Sequence, residues 1–381
     1  MLYRQLNKTG IDLSILGFGC MRLPTIDNKP DKINYPEATR MLHYAIDNGV
    51  NYVDTAYFYH SSVFGQRGES ETFVGEALSG GWRKKVNLAT KMPLFNLRKK
   101  EQMDTFLEEQ LERLKTDYLD FYLLHGLNGE TWDRMKDLGV CEFMDKKVAE
   151  GKFRFPSFSF HGKDEDFIRI CDEYNWTFAQ IQYNYMDTGF QAGYKGLKYA
   201  ADKGIGIVVM EPLKGGKLAQ KIPQEMIAVF NESSTKRSPA EWALRFVWNE
   251  AGVSSVLSGM NSMEQVEENI RIAENGIVNS LGSDDKAMFD RLRNALGVRA
   301  KADCTACRYC MPCNSGVDIP DVINALNNAA LWNDPNPWMT GYVSIKGKAG
   351  KCTECRECEE VCPQELPVSS LMKEALALFK S

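Results

Sequence analysis

From residue 13 to about 275 the chain alternates strand-sized apolar runs with amphipathic helical segments, which sharply limits the folds open to it. The runs are "LSILGFG" (13–19), "VNYVDTA" (50–56), "VNLATK" (86–91), "LDFYLLH" (119–125), "FRFPSFSF" (153–160), "FAQIQY" (178–183), "GIGIVVM" (204–210) and "VSSVLSG" (253–259). Helical patterns lie between them at 36–48, 70–79, 101–115, 131–150, 164–174, 193–203, 239–249 and 263–274. In "TFLEEQLERL" the apolar residues fall three and four apart, with charges opposite. Eight strand–helix alternations predict an α/β protein built on a parallel (β/α)8 barrel, whose usual size is about 250 residues. A doubly wound sheet is the rival. It loses because "GFGCMR", after the first run, fails at the third glycine of G-x-G-x-x-G. "NKTG" predicts a hairpin ahead of the barrel. The expected division is a barrel over 1–282, a linking helix over 283–298 capped by Ser283, and a cysteine-rich module over 299–381.

That module holds eight of the eleven cysteines, from Cys304 to Cys362; Cys20, Cys141 and Cys171 are scattered and read as small buried apolar residues. A net charge of −5 gives no nucleic-acid footprint and no surface for an anionic membrane. Hydrophobic residues at 44% and charged residues at 25% are ordinary for a globular protein with a sizeable core. No run approaches a transmembrane span, and the first residues lack the pattern of a signal peptide, so the expected location is cytoplasmic. A reducing compartment argues against disulfides. Two chemistries remain for the eight thiols. Paired C-x2-C knuckles suit a four-cysteine zinc site, but such a site uses only four thiolates.

The second run, Cys352, Cys355, Cys358, Cys362 and Pro363, is C-x2-C-x2-C-x3-C-P, the bacterial ferredoxin spacing for a [4Fe–4S] cluster. The first, Cys304, Cys307, Cys310 and Cys313, is one residue shorter and lacks the proline. Two such runs separated by a helical stretch resemble the helical two-cluster ferredoxin modules. The resemblance implies a small, mainly helical domain with two [4Fe–4S] clusters. Each cluster would take three thiolates from one run and its fourth from the other. Cys304, Cys307, Cys310 and Cys362 would hold one; Cys352, Cys355, Cys358 and Cys313 would hold the other. From residue 297 onward nine basic residues face ten acidic ones, so charge names no docking partner.

Chemistry in a barrel gathers at the strand C-terminal ends. Reading those ends gives Asp54, Lys91 and His125, with Tyr59 five residues beyond Asp54. Singly, each has an ordinary structural explanation; together, they converge on one rim. "DTAYFYH" (54–60), "ATKMP" (89–93) and "LLHG" (123–126) resemble the aldo/keto reductase family in order and spacing, over roughly residues 1–280. The resemblance implies hydride reduction of a carbonyl, with Tyr59 giving the proton. Lys91 would stabilise the phenolate, Asp54 would hold Lys91, and His125 would orient the carbonyl. It also implies cofactor contacts from Ser159 and Gln180 to a nicotinamide amide. Met210, Pro212 and Leu213 would lie along the nicotinamide and pyrophosphate, and Gly259, Met260, Asn261, Gln265, Glu268 and Asn269 at the adenosine end. Three departures stand out. Met210 replaces a stacking aromatic, Phe160 and His161 replace an asparagine, and Gly259 and Gln265 stand where NADP-preferring members carry basic residues. His43 reads as a helix-face residue, while His60 and His161 lie nearer the rim.

Clusters move single electrons and a nicotinamide moves a hydride, so a flavin is a further candidate cofactor as converter. Three readings follow. The barrel is a carbonyl or alcohol oxidoreductase wired by its clusters to a redox partner protein; or an NAD(P)H carbonyl reductase whose clusters are structural or redox-sensing; or a scaffold for an electron-transfer subunit. The expected partners are a small-molecule carbonyl or alcohol and that redox protein, with neither nucleic acid nor membrane.

Overall fold

The computed structural model describes residues 1–6, 9–63, 65–220, 222–297, 299–304 and 306–379. Strands are β1 (Tyr3–Gln5), β2 (Asp12–Ser14), β3 (Leu16–Gly19), β4 (Tyr52–Asp54), β5 (Asn87–Met92), β6 (Leu119–Leu127), β7 (Phe153–Phe160), β8 (Phe178–Gln182), β9 (Gly206–Met210) and β10 (Val253–Ser258). Helices of the first half are α1 (Tyr35–Asp47), α2 (Ser70–Ala77), α3 (Gln102–Arg113), α4 (Gly129–Asp137), α5 (Val140–Ala149), α6 (Asp164–Glu173) and α7 (Gly193–Asp202). Then come α8 (Gln224–Glu232), α9 (Pro239–Trp248), α10 (Met263–Ala273), α11 (Ser283–Gly297), α12 (Ile319–Trp332), α13 (Pro337–Thr340), α14 (Glu357–Glu360) and α15 (Val368–Phe379).

Strands β3 to β10 close into a parallel barrel in sequence order, β10 pairing back onto β3. Both faces of each strand are covered, which is why the strands read as nearly continuous apolar runs. In β6, Phe121 and Leu123 fill the barrel while Tyr122 and Leu124 pack under the helices; in β9, Val208 points in and Ile207 and Val209 point out. The β1–β2 hairpin plugs the end opposite the strand C-termini. Leu6 and Leu13 join the interior core, and Arg4 donates to the carbonyls of Trp248, Glu250, Val253 and Gly276. A Cβ on Gly206 would stand 2.3 Å from Leu6 Cδ1, so only glycine admits the plug. The predicted turn of this hairpin includes Asn7 and Lys8, which lie outside the described residues.

Two expectations of detail change. The run read as one helix over 131–150 is two helices, broken at Gly139, whose φ of +77° stops α4 and reaims α5. Helix α8, absent from the predicted patterns, buries only Met226, Val229 and Phe230.

The chain divides into two units, Met1–Ala219 with Arg237–Gly282, and Gln220–Lys236 with Ser283–Ser381. The segment holding α8, counted with the barrel by its sequence position, packs on α11 in the second unit, with Arg299 paired to Glu225 at 3.2 Å. Helix α11 ends at Gly297, and Val298, the expected end of the linking helix, lies outside the described residues. The second unit has its own core, where Val322, Leu326 and Ala329 of α12 meet Leu371, Met372 and Ala375 of α15. Among the described residues no helix is long and apolar enough to cross a membrane.

Candidate functional site

Three strands deliver the candidate residues to one end of the barrel. Asp54 ends β4, Lys91 lies one residue from the end of β5, and His125 lies near the end of β6. Lys91 Nζ donates to Asp54 Oδ1 at 2.6 Å, to Tyr59 OH at 3.0 Å and to the Thr55 carbonyl at 2.9 Å. All three ammonium donors are thereby used. Lys91 is 1% exposed and Asp54 2%. Gln180 Nε2, from β8, donates to the other carboxylate oxygen of Asp54 at 3.3 Å. The His125 ring meets Tyr59 edge-on, with centroids 6.1 Å apart, and lies 5.7 Å from the Phe58 ring.

Burial sets the charges. It pulls the Lys91 ammonium down, but Asp54 and Tyr59 pull harder and leave it above its ordinary value. Burial likewise raises Asp54 against the opposing pull of Lys91. It also raises the Tyr59 hydroxyl above 10, outweighing the Lys91 charge expected to lower it. His125 is held well below 6.5 by burial, with Lys91 and His161 adding to the effect. At neutral pH the set is therefore a charged lysine, a protonated tyrosine and a neutral imidazole.

A polar cluster that the motifs did not flag stands behind Lys91. Glu71 of α2 is fully buried and accepts from Thr90 Oγ1 at 2.6 Å, Gln110 Nε2 at 2.5 Å and Arg113 Nη2 at 2.7 Å. Gln110 also donates to the Lys91 carbonyl at 3.0 Å and accepts from Tyr122 OH at 2.7 Å. The signal was Glu71 at a position where α2 turns inward, a charge inside an otherwise apolar stripe.

In the second unit the eight thiols line two cavities. Cys304, Cys307, Cys310 and Cys362 surround one; Cys313, Cys352, Cys355 and Cys358 surround the other. All eight are free of disulfides. The two runs share a backbone shape, with left-handed residues on either side of the middle cysteine: Ala306 and Arg308 in the first, Glu354 and Arg356 in the second, φ from 54° to 65°. Alternating handedness of this kind turns backbone N–H groups into a concavity for anionic groups such as sulfide-rich clusters. Among the described residues no three His, Cys, Asp or Glu side chains converge to hold a single metal ion.

Residues 15–280 match the family model described as "Aldo/keto reductase family". The chain belongs to the aldo/keto reductase family. Residues 303–367 match the model of a 4Fe-4S dicluster domain. An oxidoreductase of Bacillus subtilis, YqkF, is 28% identical, the match covering 72% of this chain and 91% of the relative. The L-galactose dehydrogenase of Arabidopsis thaliana is 26% identical, over 75% and 92%. The holo form of aldo-keto reductase AKR11C1 from Bacillus halodurans superposes with a TM-score of 0.63 at 26% identity, covering 77% of this chain and 96% of that one. As an aldo/keto reductase the chain is an oxidoreductase of the (β/α)8 class, carrying an iron–sulfur domain. Neither match supports the flavin expected as a converter.

Other expected residues divide by what they already hold. Ser159 Oγ accepts from Gly126 N–H at 2.8 Å, beside His125. Gln180 keeps a buried carbonyl oxygen with no partner. Met210 ends β9, and Pro212 and Leu213 follow it. Gly259 and Asn261 are exposed and Met260 is buried. Gln265 Oε1 accepts from Asn261 N–H at 2.9 Å, Glu268 Oε1 from Ser238 Oγ at 2.7 Å, and Asn269 Nδ2 donates to Ser258 Oγ at 3.0 Å. Gln265 and Asn269 brace the loop between β10 and α10 and the strand end before it, while Glu268 ties α10 to the start of α9. Sequence reading passed over Arg22, which packs against Gly259 and pairs with Glu211 at 3.1 Å, joining three loops of the same barrel end. His60 is a loop brace, its Nδ1 at 2.8 Å from the Pro30 carbonyl and its Nε2 accepting from Leu23 N–H. His43 stacks on Trp82 and reaches the Ala77 carbonyl at 2.7 Å.

Proposed function

We propose that the barrel interconverts a carbonyl and an alcohol on a small molecule, with Tyr59 moving the proton, and that the second unit holds two [4Fe–4S] clusters for electron transfer. The observation that carries the first part is the Lys91 ammonium bonded at once to Asp54 and to the Tyr59 hydroxyl at the barrel mouth. A nicotinamide cofactor, when bound, supplies or takes the hydride. In reduction the Tyr59 O–H gives its proton to the oxygen that the hydride leaves negative, and Lys91 steadies the phenolate that remains. Asp54 keeps Lys91 charged and in place. His125, neutral, orients the substrate oxygen by a hydrogen bond. The unpartnered Gln180 carbonyl oxygen and the Ser159 hydroxyl suit the carboxamide of a nicotinamide, whose NH2 and C=O are complementary to them.

The thiols fit clusters in number and arrangement. Each cavity takes three cysteines from one run and one from the other, which supports the fourth-ligand exchange of two-cluster domains. Cys304, Cys310, Cys313, Cys352 and Cys358 also pack against the core of the second unit, which favours a structural role beside the electronic one.

The test of the barrel chemistry is Tyr59→Phe, assayed over a carbonyl panel with NADH and NADPH. We expect kcat to fall by at least ~100-fold, the usual worth of one general acid, while nicotinamide binding by fluorescence is unchanged. Undiminished turnover would remove Tyr59 from the chemistry.

A further inference from the structure

The two cysteine cavities differ in one buried polar group among their described lining residues. Around Cys304, Cys307, Cys310 and Cys362 the deeper lining is aliphatic, from Ile319, Pro320, Ile323 and Leu366. Three hydroxyl residues, Ser315, Thr353 and Ser369, line the cavity of Cys313, Cys352, Cys355 and Cys358. Ser315 and Thr353 satisfy each other at 2.8 Å on the exposed side. Ser369 is only 6% exposed, and its hydroxyl has no hydrogen-bond partner. Its backbone N–H, in the first turn of α15, donates to Glu359 Oε1 at 2.7 Å. The hydroxyl lies near enough to help that N–H hold the Glu359 carboxyl below its usual range, yet not at hydrogen-bond geometry.

Leaving a buried hydroxyl unpaired is unfavourable, so such a group calls for an acceptor that is to come. The acceptors that a cluster brings to this cavity are sulfide and thiolate sulfurs. We propose that Ser369 donates a hydrogen bond to a sulfur of the cluster held by Cys352, Cys355, Cys358 and Cys313, making it the more easily reduced of the two. This rests on the two-cluster reading above. Reduction adds one electron and no proton, so negative charge rises on the sulfurs while Ser369 keeps its O–H. A donor aimed at those sulfurs is stronger in the reduced state and raises the potential. The first cavity offers no buried hydroxyl among its described lining residues.

The experiment uses the full chain, prepared anaerobically, with iron analysis and a reductive titration followed by electron paramagnetic resonance. Wild type, Ser369→Ala and Ser369→Thr are compared. Eight irons per chain are expected in all three. In Ser369→Ala one midpoint should move negative by roughly tenfold in the reduction equilibrium, about 59 mV for one electron, with the other unmoved. Ser369→Thr, which keeps the hydroxyl, should keep both midpoints. If Ser369→Ala loses four irons and Ser369→Thr retains eight at unchanged midpoints, the hydroxyl is likewise what the site requires. Unshifted midpoints in an eight-iron Ser369→Ala protein, or loss of four irons in both variants, would overturn the proposal. Fewer than eight irons in wild type would instead overturn the two-cluster reading.

Discussion

Tyr59 is held by a cation and yet kept protonated, and this fixes how the enzyme should respond to pH. Its hydroxyl is raised above 10 by burial, and His125 is pushed well below 6.5. On the proposed chemistry reduction needs the Tyr59 proton, which stays bound until pH rises through that elevated value. The kcat/KM for carbonyl reduction should therefore be flat through neutrality and fall only above about pH 10, the ordinary tyrosine value. Oxidation of the alcohol needs the phenolate and should rise over the same high range. An unperturbed histidine would add a limb near pH 6.5, and none is expected. A reduction profile with a limb near neutrality would contradict the balance of burial over the Lys91 charge. Asp54, Lys91 and His125 were legible in the sequence because strand ends are legible, and Tyr59 by its spacing from Asp54. The sign of the Tyr59 shift was not, because it depends on how completely the folded barrel excludes water.

Helices α2 and α3 hold strand β5 through one carboxylate. Glu71 accepts one hydrogen bond from β5 and three from Gln110 and Arg113 of α3, and Gln110 relays the contact to the Lys91 carbonyl. Glu71→Ala would leave the largely buried Arg113 guanidinium, with 10% of its side chain exposed, without this partner. Breaking a buried pair in this way costs about 3–5 kcal/mol, so the urea midpoint of the barrel should drop accordingly. Glu71→Gln, which keeps much of the hydrogen bonding, should lose less, and equal losses would mean that the charge is immaterial. The same helices mark where sequence reading succeeded. Long amphipathic segments such as α3 announce themselves by period, and buried strands such as β9 by an unbroken apolar run. The break at Gly139 and helix α8 did not. A single left-handed glycine leaves the helical period intact on both sides, and three buried residues in α8 make too short a stripe.

At the scale of the whole molecule the two units keep their structure by different means. The barrel has an interior core and an outer core beneath its helices, both built from side chains alone. In the second unit, α12 and α15 share a modest core, and Cys304, Cys310, Cys313, Cys352 and Cys358 pack directly on it. A segment that draws part of its core from metal-ligating residues gains folding free energy from the metal. Loss of the clusters also leaves eight thiols lining cavities that nothing fills, with Ser369 unpaired beside them. Cluster removal by ferricyanide and chelator should therefore loosen 299–379 and spare the barrel. Limited proteolysis read by mass spectrometry should show new cuts inside 299–379 and none within β3 to β10, alongside a partial loss of the far-ultraviolet helix signal. A cluster-free chain that resists cleavage there and keeps its full helical signal would show that the clusters serve electron transfer without holding the fold.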